Sequence, residues 1–154
     1  MSIILRPALP FQTGIPGGIY DGKMIEIKGS IPYGAHRFEI NLIAGFDPNS
    51  NRVLHLGIRF DQQCVVRNHM EYNHWGPEER QGPFPFSFGR EFKMLIVVDR
   101  THYRIAVNNQ HCWDFRHRLP MDRVKSFGIN GSVEVHEIEF IDRPNPVRLR
   151  EVLF

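Results

Sequence analysis

Residues 54–60 constrain the fold of this chain more than any other segment. Apolar residues occupy every second position: Leu54, Leu56, Ile58 and Phe60. His55, Gly57 and Arg59 stand between them. Because a β-strand turns successive side chains to opposite faces, this alternation predicts a half-buried strand. One face would pack on a core, and the other would present His55 and Arg59 together, with a bare Gly57 between them.

The rest of the chain is rich in short segments with strand character. They are separated by turns that contain Gly, Pro, Asn and Asp, and they cover residues 22–30, 37–43, 53–60, 64–69, 92–98, 102–107, 110–115 and 133–140. Short strands at this spacing are typical of a sandwich of two sheets. The sequence therefore predicts an all-β fold made of two packed antiparallel sheets.

Four local signals refine this prediction. Asn108-Asn109 and Asn130-Gly131 are both typical of two-residue hairpin turns, because these residues tolerate positive φ. The alternation of the last strand slips at His136-Glu137, which predicts a β-bulge. Residues 120–125 are expected to hold a single helical turn.

Polar and aromatic side chains gather on the open face of the strand at 53–60. The parity of the next strand brings Val66 and Asn68 to that face, and Trp75, Glu78 and Arg80 follow closely. We therefore expect one binding site made of His55, Arg59, Val66, Asn68, Trp75, Glu78 and Arg80.

This set of side chains suits the recognition of a sugar. Guanidinium groups donate, a carboxylate accepts, and an amide or neutral imidazole does both, so together they can match a pattern of hydroxyls. Glu78 between Arg59 and Arg80 is expected to stay ionised, because opposite charges favour its charged form. The indole of Trp75 would lie against the C–H face of the sugar.

An enzymatic site is a poor explanation of the same residues. A glycoside hydrolase needs two carboxyl groups that flank one bond, and one of them needs a raised pKa. Neighbouring arginines lower the pKa of Glu78, and Glu79 is expected on the opposite face. The eight histidines form no His-Glu-x-x-His motif, so no metal and no cofactor is expected.

Length, charge and cysteine content limit the other functions that the chain could have. With 154 residues the chain has the size of one domain, and its net charge of +2 does not favour nucleic acid. Cys64 and Cys112 are expected to be free thiols. The apolar stretch among the first residues is too short for the core of a signal peptide, and no segment is apolar over the length of a membrane span. We therefore expect cytoplasmic synthesis without a signal peptide.

The motifs after residue 54 resemble those of galectins, the β-galactoside-binding lectins. The segment 55–59 aligns with the family's His-x-Asn-Pro-Arg, and Asn68 aligns with its central Asn. Trp75-Gly76-Pro77-Glu78-Glu79-Arg80 matches Trp-Gly-x-Glu-x-Arg in full. Further similar segments are 9–11, 15–18, 84–86, 88–89, 107–111 and 115–118, so the resemblance extends over roughly residues 8 to 141.

The resemblance implies a jelly roll with the sugar on the concave outer face of one sheet. It implies a carbohydrate-recognition domain over residues 1–142 that binds β-galactoside glycans of glycoproteins or glycolipids without metal. Residues 143–154 would be a C-terminal tail or the start of a linker to a second lectin domain. Such a lectin can acquire two sites through a second domain or through a homodimer. The family also implies export by a non-classical route.

One departure from the family motif affects the expected site. Gly57 and Ile58 stand where the family has Asn and Pro, and that Asn helps to bind the axial 4-hydroxyl of galactose. Loss of one hydrogen bond costs about 0.5–1.5 kcal/mol, so we expect weakened binding that Gly57→Asn would tighten. The alternative is a galectin-like protein-interaction module whose sugar specificity is lost or altered.

Overall fold

The computed structural model describes residues 2–142, and they form two antiparallel sheets. The strands are β1 (Ser2–Leu5), β2 (Phe11–Gly14), β3 (Met24–Ser30), β4 (Arg37–Ile43), β5 (Arg52–Arg59), β6 (Cys64–Glu71), β7 (His74–Trp75), β8 (Glu91–Val98), β9 (His102–Val107), β10 (Gln110–Arg116), β11 (Ser126–Gly131) and β12 (Glu134–Ile141). A 3₁₀ turn spans Met121–Arg123. The predicted all-β sandwich is confirmed.

Each sheet has six strands. The front sheet has the order β2-β11-β4-β5-β6-β7, and the back sheet has the order β1-β12-β3-β8-β9-β10. The strands β4 to β7 are consecutive neighbours, so the front sheet brings residues that are close in sequence onto one surface. The strand at 53–60 is β5, near the middle of this sheet.

The core lies between the two sheets and is built by the predicted alternation. Leu54, Leu56 and Ile58 of β5 are fully buried in it. The back sheet contributes Tyr103 and Ile105 from β9. Burial of each such side chain stabilises the fold by about 1.5–3 kcal/mol, which fixes which face of β5 points inward. The opposite face, with His55 and Gly57, is thereby directed outward.

Three local predictions are confirmed. Asn108 and Asn109 both have positive φ, 53° and 67°, in the turn between β9 and β10. The register of β12 against β3 shifts between Val135 and Glu137, so His136 lies in a β-bulge. The expected helical turn is the 3₁₀ turn at Met121–Arg123.

The predicted hairpin at Asn130-Gly131 is wrong. The strand before it, β11, pairs with β2 and β4 of the front sheet, whereas β12 pairs with β1 and β3 of the back sheet. The chain therefore crosses from one sheet to the other at this point. Gly131 has φ +114°, and a Cβ there would lie 2.5 Å from the carbonyl oxygen of Arg37. The glycine serves a close backbone approach, and not a two-residue hairpin.

The strands β1 and β2 were not among the predicted segments, because each has only four residues and lies at a sheet edge. The expected tail or linker at 143–154 lies outside the described residues. Within residues 2–142 no helix is long and apolar enough to cross a membrane.

Candidate functional site

The outward residues of β5 and β6 meet in pairs on the front sheet. His55 is opposite Asn68, and Gly57 is opposite Val66. A cleft of about 520 Å³ lies over these pairs. Its walls are formed by Glu39, His55, Arg59, Val66, Asn68, Trp75, Gly76 and Glu78. The structure thus brings every predicted site residue except Arg80 to this cleft, and Arg80 is bonded to one of its walls.

The ion triad that the sequence predicted is present beside the cleft. Arg80 Nε donates to Glu78 Oε1 at 2.8 Å, and Arg59 Nη2 donates to Glu78 Oε2 at 3.3 Å. Gln62 Oε1 accepts from both guanidiniums at 3.1 Å. The hydrogen bond from Arg80, followed by the charges of both arginines, lowers the pKa of the Glu78 carboxyl. The carboxylate is therefore ionised, and both guanidinium planes are fixed.

His55 is held as a neutral acceptor. Its Nδ1 lies 2.7 Å from Asn41 Oδ1, so Nδ1 carries the proton and donates. The imidazole is only 8% exposed. Burial, helped by the charges of Arg52 and Arg59, lowers its pKa to about 4. At neutral pH, Nε2 is therefore an unprotonated acceptor that faces the cleft.

Asn41 does not line the cleft but holds His55 in place, and its role was not predicted from the sequence. It lies on β4 opposite His55, and its Nδ2 donates to Glu39 Oε1 at 3.3 Å. The signal was available, because Glu39 and Asn41 alternate with the apolar residues of β4. Without knowledge that β4 pairs with β5, however, their face could not be linked to that of His55.

Asn68 is buried and fixes the far wall of the cleft. Its Oδ1 accepts from the backbone N–H of His69 and from Arg118 Nη1, and its Nδ2 donates to the carbonyl of Gly76 at 2.8 Å. These contacts occupy both lone pairs of the oxygen and one amide hydrogen. The second amide hydrogen is the part of Asn68 that these bonds leave for a ligand in the cleft.

Arg118 supports this wall from behind and was not assigned from the sequence. Its Nη2 donates to Glu79 Oε2 at 2.8 Å, and Nη1 lies 3.1 Å from His69 Nδ1. Its guanidinium stacks over the ring of Phe115. Arg118 therefore connects β6 to the segment that carries Glu78, from a position more than 35 residues later in the chain.

Trp75 forms the exposed side of the cleft. It lies on the edge strand β7, opposite Met70 of β6, and its side chain is 52% exposed. The ring packs against His55 with 4.7 Å between centroids. The next residue is a glycine, Gly76, which lets the His69 ring lie close to the backbone. A Cβ at position 76 would collide with that ring at 2.4 Å. An indole in this position offers a flat apolar surface to a ligand.

A second, smaller cleft of about 240 Å³ adjoins the first on the side of β4. Gly57, Glu39, Arg37 and Asn130 contribute to its walls. The absence of a side chain at Gly57 therefore opens the surface towards β4 and β11. In the part of the chain that the structure describes, no group of three or more His, Cys, Asp or Glu is placed to hold a metal ion.

Comparison with known proteins gives a consistent picture. The family model described as galactoside-binding lectin matches residues 10–140. Human galectin-7 is 35% identical over 130 residues, which are 84% of this chain and 96% of galectin-7. Human galectin-4 is 35% identical over 137 residues, which are 88% of this chain and 42% of galectin-4. The chain thus spans about two fifths of that longer relative.

The fold comparison agrees with the sequence comparison. The crystal structure of galectin LEC-6 from Caenorhabditis elegans superposes with a TM-score of 0.81 at 28% identity. The match covers 90% of this chain and 95% of that one. From its sequence and its sandwich of two sheets, this chain belongs to the galectin family, whose members are lectins and not enzymes.

Proposed function

We propose that the chain binds β-galactoside glycans in the cleft over β5 and β6, without metal. The residues that would carry binding are His55, Arg59, Val66, Asn68, Trp75, Glu78 and Arg80. The single observation that supports this most is the Glu78 carboxylate, held between Arg59 and Arg80 at 3.3 and 2.8 Å. A polar set fixed before the ligand arrives loses little entropy on binding.

Each group has a separate role in this proposal. Nε2 of His55 accepts from one sugar hydroxyl, and Arg59 donates to the same part of the ring. The free amide hydrogen of Asn68 donates to a second hydroxyl. Glu78 accepts from a third. The indole of Trp75 covers the C–H face of galactose, which excludes water from these hydrogen bonds.

We also propose that residues 1–142 act as one carbohydrate-recognition domain. Cross-linking of glycoproteins or glycolipids needs two such sites in one particle, through a homodimer or a second lectin domain. Cytoplasmic synthesis followed by non-classical export would place the site in contact with cell-surface glycans.

Calorimetry with lactose and with cellobiose tests the proposed binding. The two disaccharides differ in the 4-hydroxyl of the terminal ring, which is axial only in lactose. We expect a Kd of roughly 0.1 to several mM for lactose, unchanged by EDTA, and no measurable binding of cellobiose. Absence of heat with lactose, or loss of that heat in EDTA, would contradict the proposal.

A matched pair of variants assigns the binding to the cleft. Glu78→Gln removes the charge that holds both arginines and should weaken lactose binding by at least about tenfold. Glu134→Gln makes the same change on an exposed residue of the back sheet and should have no effect. Equal effects of the two variants would mean that lactose binds elsewhere.

A second candidate function rests on Gly57. If the missing side chain has removed sugar binding, the same surface would serve as a protein-interaction module of galectin fold. A folded protein that binds no lactose, no lactosamine and no other galactoside at high concentration would favour this alternative.

A further inference from the structure

An aromatic pocket lies beside the turn between β5 and β6. It encloses about 410 Å³, and its walls are formed by Phe60, Gln63, Phe84, Phe86, Ser87 and Phe88. Phe60 stacks on Phe88 with 5.4 Å between ring centroids, and it meets Phe84 edge to face at 5.3 Å. A concave and mostly apolar surface of this size is typical of a small-molecule site. It is here called the Phe pocket.

The outer rings of the Phe pocket are exposed to solvent. Phe88 is 46% exposed, although the neighbouring Phe86 is buried in the core. Tyr33, which is 85% exposed, extends this surface, because its ring packs over the backbone of Gly89. A contiguous exposed aromatic surface on a folded domain marks a site for a ligand or a partner. Phe88 therefore has apolar area left to bury when a ligand enters the pocket.

The Phe pocket adjoins the end of the galactoside cleft that contains the arginines. Arg59 lines the cleft, and Phe60, the next residue, lines the pocket. In the turn that follows, Gln62 accepts hydrogen bonds from Arg59 and Arg80, and Gln63 lines the pocket. One short turn therefore forms the border between the cleft and the pocket.

A disaccharide in the cleft would bring its reducing end to this border. Trp75 and His55 pack together at one end of the cleft, and the proposed function places galactose against them. Arg59 lies four residues beyond His55 on β5, about 13 Å along the strand, which exceeds the width of one sugar ring. The second ring would therefore lie over Arg59 and Glu78. A group attached to that ring leaves the cleft at the turn.

We propose that the chain prefers β-galactosides whose reducing end carries an apolar aglycone, and that the Phe pocket holds this aglycone. The inference rests on the proposed function of the cleft and adds to it the class of glycoside. An alkyl chain or an aromatic ring would pack against Phe60, Phe84 and Phe88. The side chains of Gln63 and Ser87 have no hydrogen-bond partner among residues 2–142, so they are available to the polar linkage of the aglycone.

Calorimetry with matched glycosides tests this proposal. Methyl β-lactoside reports on the cleft alone, octyl β-lactoside adds an alkyl chain, and phenyl β-lactoside adds an aromatic ring. Each is used below the concentration at which it forms micelles. We expect at least one of the two apolar lactosides to bind at least about fivefold more tightly than methyl lactoside, because apolar surface is buried. A gain for octyl lactoside alone would identify lipid-like chains as the aglycone, and a gain for phenyl lactoside alone would identify aromatic groups.

The same titrations separate this proposal from the proposed function of the cleft. Equal affinity for all the lactosides would overturn the role of the Phe pocket and leave galactoside binding in place. Absence of methyl lactoside binding would contradict the cleft function and would overturn this proposal with it. Octyl β-cellobioside that binds as tightly as octyl β-lactoside would also overturn it, because the alkyl chain would then bind without a galactoside.

Two exposed phenylalanines outside the strands give a matched pair of variants. Phe88→Ser removes one wall of the Phe pocket, and Phe46→Ser makes the same change beside Gly14, at a residue that does not line the pocket. For Phe88→Ser we expect unchanged affinity for methyl lactoside, which also shows that the variant is folded, and a gain from the apolar aglycone below about twofold. Phe46→Ser should keep the full gain. A full gain in Phe88→Ser, or the same loss in both variants, would overturn the proposal.

A measurement on the unmodified chain does not depend on the folding of a variant. NOEs are expected between the aglycone protons of the tighter-binding lactoside and the rings of Phe60, Phe84 or Phe88. Selective labelling of the phenylalanine rings separates these signals from those of the ligand. Absence of these NOEs at saturation would overturn the proposal.

Discussion

The imidazole of His55 lies over Gly57, so that a Cβ at position 57 would be 3.1 Å from His55 Nε2. The ring cannot easily move away, because Nδ1 is bonded to Asn41 and the other side packs on Trp75. Glycine at position 57 and the position of His55 are therefore parts of one arrangement. The space that a larger residue would occupy is already used in part by the histidine.

This contact changes the expected effect of restoring the family's Asn. We predict that Gly57→Ala weakens lactose binding about two- to threefold, because the methyl group displaces His55 slightly. Gly57→Asn should bind lactose three- to tenfold more tightly than Gly57→Ala, which is the value of one neutral hydrogen bond of about 0.5–1.5 kcal/mol. Calorimetry measures both. Equal affinities of the Ala and Asn variants would show that residue 57 does not contact galactose.

The two tryptophans should respond differently to lactose. Trp75 is half exposed at the cleft, whereas Trp113 is buried in the core between the sheets. We expect lactose to shift the fluorescence of Trp113→Phe, which retains only Trp75. The fluorescence of Trp75→Phe should stay constant. A response in Trp75→Phe alone would place the ligand away from the cleft.

Lactose binding should be insensitive to pH over a wide range. Burial lowers the pKa of His55 to about 4, so Nε2 remains an acceptor at pH 8 and at pH 5.5. Titrations should give the same Kd at both values, with a loss only near pH 4. A twofold or greater weakening between pH 7 and pH 6 would mean that His55 protonates in its ordinary range.

The same pKa predicts a loss of stability in acid. The folded protein binds the His55 proton more weakly than the unfolded chain does, so the free energy of unfolding falls as the pH decreases from 6.5 to 4. Protonation of His55 lowers the free energy of unfolding by about 3 kcal/mol in total, and this loss is absent above pH 6.5. Urea unfolding of the unmodified chain and of His55→Gln isolates it, because only the former should show this part of the slope.

Arg118 should act on binding as a positioning residue, since it does not line the cleft. Arg118→Met removes the donors to Asn68 and Glu79, and we expect lactose affinity to fall about five- to tenfold. The matched control is Arg123→Met, because Arg123 pairs with partly exposed Glu71 at 3.5 Å and neither residue lines the cleft. The same loss in both variants would attribute the effect to general destabilisation.

Alternation within a strand was a reliable guide to the faces of this fold. It identified the buried side of β5 and the joint presentation of His55 and Arg59, because the period of two is set by the backbone itself. Turn signals were less reliable. Asn108-Asn109 forms a hairpin, but Asn130-Gly131 leads from one sheet to the other. A dipeptide defines local φ angles and does not define which strand the next segment will pair with.

The residues that support the cleft walls also could not be predicted from local sequence patterns. Asn41 and Arg118 contact His55 and Asn68 across 14 and 50 residues of sequence. Their roles depend on the pairing of β4 with β5 and on the packing of the residues after β10, which no local pattern records. The residues predicted from the sequence all lie between His55 and Arg80, on β5, β6 and β7 and on the segment that follows β7.

The turn between β6 and β7 has a consequence for how this binding surface can vary. Tyr72 and Asn73 both have positive φ, and their two-residue loop fixes Glu71 opposite His74 and Met70 opposite Trp75. Insertion or deletion of one residue there would shift the strand by one position and turn the indole to the other face of the sheet. Substitutions can therefore alter this surface while its geometry is kept. A change in the length of the loop by one residue would instead remove the indole from it.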